Sequence, residues 1–230
     1  MTKLIFEPNK ISEKTSEMIS KSINKVLEKK ELAIIGIVGG ESISKVLDNI
    51  KNFQVEWRKV HIFMVDERLV PIDHPDSNFK MISKKLSNII LKENLHPYIL
   101  KNNEKDYGLS EYQDEIKQYS NNCDIVIVSS GEDGHIGSLF PNHPSIIDDS
   151  NYFVFVDNSP KPPSRRISMS KNMILRSQIG FLLVNGNNKK EAYKKFLDEN
   201  IDYTICPSKL INMLPESYVL TDIKLTGDEL

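Results

Sequence analysis

Ile11, Thr15, Met18, Ile19, Ser22, Ile23, Val26 and Leu27 recur at helical spacing with Lys and Glu between them. That period predicts an amphipathic helix. Leu32 to Val38 shows a different pattern, a short apolar run with β-branched residues, as expected of a buried strand. Gly39-Gly40 stops the run, and Ser42, Ile43, Val46, Leu47 and Ile50 restart the helical period. Val60 to Val65 reads as the next strand, and Phe79, Ile82, Leu86, Ile89 and Ile90 mark a helix. Leu109, Tyr112, Ile116 and Tyr119 mark another helix before a strand at Ile125 to Val128. Tyr152 to Val156 and Ile179 to Val184 read as strands, Glu191 to Leu197 as a helix, and Tyr218 to Leu220 as a last strand.

Strands alternating with helices imply an α/β fold, a mostly parallel sheet covered by helices on both faces. No internal repeat or low-complexity linker interrupts the 230 residues. Pro160-Lys161-Pro162-Pro163 is too short to divide domains and reads as a rigid loop. A single domain over residues 1–230 is therefore expected, with Gly227-Asp228-Glu229-Leu230 as a polar tail. That tail faintly resembles an ER-retention signal, but the N-terminus lacks the compact apolar core of a signal peptide.

In an open parallel sheet, ligands bind beyond the carboxyl ends of the strands. The unusual residues fall there. Strand 32–38 runs into Gly39-Gly40-Glu41-Ser42, whose glycines permit close approach of the backbone. Ser42 is expected at a helix start, where free N–H groups suit a phosphate; a plain turn with a Ser cap would look the same. Neither a GxGxxG nor a P-loop pattern is present. Strand 60–65 runs into Asp66-Glu67-Arg68, which is either a solvated charged loop or a carboxylate beside an anion-gripping Arg.

Strand 125–128 runs into Ser129-Ser130-Gly131-Glu132-Asp133-Gly134-His135. His135 is expected at the opening of a helix, as a capping residue or as a group that takes a proton from water and returns it to a leaving group. Strand 179–184 runs into Asn185-Gly186, with Lys189 and Lys190 just beyond. Arg165 and Arg166 follow the proline loop. With Arg68, these cations would neutralise a sugar phosphate.

Composition narrows the partners. Hydrophobic residues at 39% and charged residues at 27% are ordinary for a globular chain. A formal charge of -2 gives no bulk attraction to nucleic acid or to an anionic membrane, so neither is expected as a partner. No apolar stretch approaches the ~18 residues that span a bilayer. Cys123 and Cys206 make no CxxC or metal-ligand spacing and read as free thiols of a cytoplasmic protein. His61, His74, His96 and His143 complete no HExxH-type set with His135, so no metal is expected.

Together these motifs resemble the 6-phosphogluconolactonase family. Val65-Asp66-Glu67-Arg68-Leu69-Val70-Pro71 with His74-Pro75-Asp76-Ser77-Asn78 resembles its acidic-arginine signature. Glu132-Asp133-Gly134-His135-Ile136-Gly137-Ser138-Leu139-Phe140-Pro141 resembles its histidine signature. Ser159-Pro160-Lys161-Pro162-Pro163 with Arg166-Ile167-Ser168, and Asn185-Gly186 through Lys189 and Ala192, resemble two further blocks. The resemblance spans roughly residues 30 to 222.

It implies a Rossmann-like sheet, shared with the glucosamine-6-phosphate isomerase/deaminase family, and hydrolysis of 6-phosphogluconolactone without metal or organic cofactor. The isomerases usually carry Asp-Glu-Tyr where this chain has Asp66-Glu67-Arg68, and an Asn-Glu-Pro step after the histidine where it has Ser138-Leu139-Phe140-Pro141. Both differences favour the lactonase. Folds of this group also serve as sugar-phosphate sensors, which need no water-activating histidine. Two departures stand out: Ser129 replaces a usual Gly, and Glu41 occupies a place usually held by a small residue, so its carboxylate is expected to face away.

The expected machinery is His135 as base and then acid, with Asp133 or Asp66 orienting it or the water. Arg68 or backbone N–H groups of the Gly131–Gly134 loop would stabilise the oxyanion. Gly39, Gly40, Ser42, Arg68, Gly134, Arg166 and Lys189 are the expected substrate contacts, with Arg166, Lys189 and the Gly40–Ser42 turn on the phosphate. The partner is a small sugar phosphate, and the protein is expected to be a monomer or a small homo-oligomer.

Overall fold

The computed structural model describes residues 2–226, so the polar tail at 227–230 lies outside the described residues. The chain runs β1 (Thr2–Phe6), α1 (Ile11–Leu27), β2 (Ala33–Ile37), α2 (Glu41–Ile50), β3 (Val60–Met64), β4 (Asp66–Arg68), α3 (Asn78–Leu86), β5 (Leu95–His96) and α4 (Leu109–Tyr119). It continues through β6 (Ile125–Ser129), α5 (Pro144–Ile147), β7 (Phe153–Val156), β8 (Arg166–Met169), α6 (Lys171–Leu175), β9 (Ile179–Val184), α7 (Lys190–Leu197) and β10 (Glu216–Thr221). None of these helices is long and apolar enough to cross a membrane.

Seven strands form one parallel sheet in the order β1-β10-β9-β6-β2-β3-β5. Every residue of β2 and β3 is buried, so both sheet faces are covered there. This is why those segments read as near-continuous apolar runs, interrupted in β3 by His61, rather than alternating ones. From β2 the chain moves outward through β3 to β5; from β6 it moves the other way through β9 and β10. The order therefore reverses between β2 and β6, and a crevice opens beyond their carboxyl ends. Gly39–Ser42 leaves β2 and Ser129–His135 leaves β6 at that point.

The second sheet was not expected. β4, β8 and β7 form a three-stranded antiparallel sheet, with Asp66 opposite Ser168 and Arg68 opposite Arg166. So Asp66-Glu67-Arg68 is a strand rather than a loop, and the expected strand at 152–156 belongs to this sheet and not to the main one. The small sheet is fastened where β3 passes into β4, because Met169 N–H donates to the Val65 carbonyl at 2.6 Å. Two further expectations need correction. The helix marked by Phe79 to Ile90 ends at Leu86, whose carbonyl accepts from both Ile89 and Ile90 in a tightened last turn. No helix opens at His135, because Gly131 N–H donates to the His135 carbonyl and closes a tight loop instead.

Candidate active site

A cleft of about 490 Å³ lies over the β2/β6 crevice. Gly39, Gly40, Ser42, Asp66, Arg68, His135, Arg166 and Lys189 all line it, drawn together from strand ends up to 150 residues apart. Its centre is His135. The ring Nδ1 lies 2.5 Å from Asp133 Oδ1, and Asp133 also accepts from the His135 backbone N–H at 3.2 Å. The other ring nitrogen, Nε2, carries no hydrogen bond among the described residues.

Phe140 supports the ring at 4.8 Å between centroids. Gly131 makes room for it: a Cβ there would stand 2.0 Å from the ring Cε1. Burial acts to raise the Asp133 carboxyl, but the His135 hydrogen bond and charge, helped by Lys161, outweigh it and hold the acid well below its ordinary range. Asp133 is thus an anion fixed on Nδ1. That leaves the lone pair on Nε2.

Asp66 and Glu67 do other work. Asp66 does not touch His135. Its Oδ2 accepts from Ser138 Oγ at 2.7 Å and lies 3.9 Å from Arg166 Nη1, while Oδ1 accepts from Asn78 Nδ2 at 3.1 Å. Glu67 turns inward to the start of α3, accepting from the N–H groups of Arg68, Asn78 and Phe79 at 2.8 Å each and from Ser77 Oγ at 3.1 Å. Burial pushes the Glu67 carboxyl up, against the pull of those three backbone donors. Asn78, so positioned, passes close under the glycine turn. A Cβ on Gly39 would fall 2.0 Å from Asn78 Oδ1, so only glycine fits.

Cations flank the histidine on two sides. Lys189 Nζ lies 3.5 Å from Ser42 Oγ, and α2 begins at Glu41 with no side-chain cap, so its first-turn N–H groups remain available to a ligand. Burial lowers the Lys189 ammonium, although Asp222 and Glu132 pull the other way. On the opposite side Arg68 and Arg166 face each other across β4 and β8. Like charges in that position destabilise a sheet, so a facing pair at a cleft suits an anionic ligand. Arg68 Nη1 donates to the Asp76 carbonyl at 2.5 Å, and its Nε is buried without a partner.

A family model described as glucosamine-6-phosphate isomerases/6-phosphogluconolactonase matches residues 7–219. The chain belongs to this family. A 6-phosphogluconolactonase of Borreliella burgdorferi is 34% identical over 207 residues, covering 87% of this chain and 88% of the relative. One of Mycobacterium tuberculosis is 35% identical over 151 residues, covering 60% and 61%. Among solved structures, the 6-phosphogluconolactonase of Thermotoga maritima matches with a TM-score of 0.86 at 24% identity, covering 96% of this chain and 99% of its own. That of Trypanosoma cruzi gives 0.83 at 19%, covering 96% and 94%. These likenesses show a shared fold.

Several expected contacts of this family member need revision. Gly134 does not line the cleft; its carbonyl accepts from Ser208 N–H at 2.9 Å and its own N–H is used on the Gly131 carbonyl. Gly131 N–H is likewise committed to the His135 carbonyl, so neither glycine N–H of that loop is available to an oxyanion. Arg166 is buried, and its Nε and Nη2 hold the Lys161, Pro162 and Pro163 carbonyls at 3.0 Å. Only Nη1 is left toward Asp66 and Ser138, so Arg166 shapes the cleft floor more than it reaches into it. Arg165 leaves the cleft altogether and lies 4.3 Å from the Tyr107 ring centroid.

Glu41 sits on the rim with its carboxylate on Lys45 at 2.7 Å. Asn78, Lys161 and Asn185, named in the sequence only as parts of larger motifs and expected to make no contact of their own, also line the cleft. Asn78 stands at the first position of α3 and Asn185 directly after β9, places where an asparagine carries no distinguishing signal.

Proposed function

We propose that this chain hydrolyses 6-phosphogluconolactone to 6-phosphogluconate. One observation carries the reading: a histidine held on Nδ1 by an ionised Asp133, with Nε2 unpartnered, in a cleft flanked by cations. Nε2 takes a proton from water as the water oxygen bonds to the lactone carbonyl carbon. Asp133 stabilises the imidazolium that forms. When the tetrahedral intermediate collapses, the bond from carbon to ring oxygen breaks and the imidazolium gives its proton to that oxygen. The new carboxyl group then releases a proton to solvent. Arg68, whose side chain lines the cleft beside His135, is the oxyanion donor. Lys189, Ser42 and the first turn of α2 hold the phosphate and place the lactone for attack.

The test is acceleration of ring opening of freshly generated 6-phosphogluconolactone above its spontaneous rate. Acceleration with no ammonia release from glucosamine 6-phosphate supports the lactonase. Ammonia release without lactone turnover would assign the other branch of the family, and tight binding with no rate would make the chain a sensor.

Lys189 gives a separate expectation. Its ammonium is lowered by burial, so it loses its proton at lower pH than an ordinary lysine, and the phosphate grip weakens as pH rises through that value. KM should therefore climb toward alkaline pH while kcat holds. In Lys189→Arg, whose guanidinium stays charged, the climb should disappear. A KM equally pH-dependent in both proteins would place the phosphate elsewhere.

A further inference from the structure

Away from the cleft, two histidines meet in the interior beside the edge of the main sheet. His61 of β3 and His96 of β5 are both buried. His61 Nδ1 lies 2.9 Å from His96 Nε2, and His96 Nδ1 lies 2.6 Å from Glu115 Oε1 on α4. Glu115 is the solvent end of the line, with 38% of its side chain exposed. We propose that this line is an acid-sensitive fastening, which ties β5 and α4 to β3 while it holds at most one added proton and lets go when a second enters. The fastening does not depend on the reaction proposed above.

Counting protons sets the capacity. With both rings neutral, His96 donates from Nδ1 to Glu115 and accepts at Nε2 from His61 Nδ1–H. With one added proton, His96 donates from both nitrogens, to Glu115 and to the lone pair on His61 Nδ1. A second proton has no such place. Both inner nitrogens then carry hydrogen, so two donors and two like charges face each other in a buried site.

The surroundings offer no relief. Ile34 stands opposite His61 in β2, the Tyr119 ring of α4 lies 4.5 Å from it, and Phe63 stacks on His96 at 4.1 Å. Burial, and then the charge of His96, lower the His61 imidazolium; among the described residues no other charge bears on it. Because its value is lowered in the fold, the opened chain takes up the proton first. Stability is full above the ordinary histidine range, falls as pH drops below about 6.5, and levels off below the lowered value.

Tyr112 of α4 carries the effect toward the cleft. Its hydroxyl accepts from Met64 N–H at 2.7 Å and donates to the His96 carbonyl at 3.2 Å. Met64 ends β3, and Asp66 begins β4 two residues later. Release of α4 therefore frees the backbone that leads into the cleft.

Hydrogen exchange of the full chain at pH 7.5 and 5.5, corrected for intrinsic rates, tests the fastening. In wild type, β5 and α4 should lose about tenfold in protection at pH 5.5, while β6 and β9 keep theirs. In His61→Asn the amide stands near the place of ring Nδ1 and still bonds His96, but binds no proton. That loss should disappear, and the fall in Tm between the two pH values should shrink by about 4 °C. Glu115→Gln keeps an acceptor for His96 without the charge that supports the first proton, so its loss of protection should exceed that of wild type.

The two variants thus move in opposite directions, which general acid destabilisation would not produce. Equal loss in wild type and His61→Asn, unchanged protection of wild type at pH 5.5, or a smaller loss in Glu115→Gln would overturn the proposal. Should His61→Asn fail to fold, wild type and Glu115→Gln decide: loss centred on β5 and α4 and deepened by Glu115→Gln supports it, and loss spread evenly over the sheet overturns it.

Discussion

His135→Ala should lower kcat for lactone hydrolysis about a thousandfold, within the range general acid–base groups contribute, with KM changed little. The separation follows from the geometry. The expected phosphate grip comes from Lys189, Ser42 and α2, none of which touches the histidine ring, so truncating the ring leaves ground-state binding in place. Spontaneous ring opening must be subtracted, because it sets the floor the variant falls to. Loss of affinity in place of turnover would make His135 a binding residue.

Asp133→Asn provides the companion measurement. An amide placed on Nδ1 offers its NH2 as donor, which favours the tautomer with the proton on Nε2 and takes away the base; a fall in kcat on the order of 100-fold is expected. The pH dependence of the pair has a definite sign. Asp133 has its folded value depressed, so the stability from its contact with His135 is present above the ordinary carboxylate range. It is lost only as pH falls through the depressed value. Any loss of rate between neutrality and mild acid therefore belongs to another group.

Glu67→Ala should be the most destabilising change near the cleft, by about 3 kcal/mol, lowering Tm by about 10 °C. Four donors converge on this carboxylate, three of them backbone N–H groups. Removal leaves them unpaired at buried or half-buried positions, and α3 keeps only the Ser77 Oγ cap on Lys80 N–H. Glu67→Gln keeps one acceptor oxygen but turns an NH2 toward those donors, and should fall between wild type and Ala. Thermal unfolding of the three proteins without ligand checks the order. An unchanged Tm in Glu67→Ala would mean that water replaces the carboxylate.

The long periodic stretches were legible because one face or both faces of each element are buried. Ile19 and Ile23 of α1, and all of β2 and β3, announce their environment through composition alone. The small sheet was not legible. Asp66-Glu67-Arg68 is entirely charged, and it becomes a strand because β8 pairs with it and Glu67 caps α3; neither fact is local to the segment. His135 read as a helix opening, yet Gly134 at φ +94° and Gly137 at φ +55° carry the chain through turns that no helix contains. The sequence left Asp133 and Asp66 equivalent, since both follow strand ends. Only the fold separates them, turning Asp66 toward Ser138, Asn78 and Arg166. Asn78 and Asn185 were given no role because an asparagine at a helix start or just past a strand end has many ordinary reasons to be there.

The pairing of β1 with β10, from Thr2 opposite Ser217 to Phe6 opposite Thr221, bears on how the protein is made. On the ribosome β1 emerges before its partner and waits. β10, the strand it must pair with, is synthesised more than 200 residues later. At 5–20 residues per second that interval lasts on the order of ten seconds or more, during which Leu4, Ile5 and Phe6 have no native partner. The growing chain therefore carries an unpaired apolar strand throughout that interval. A holding chaperone that recognises short apolar segments would find a client site there.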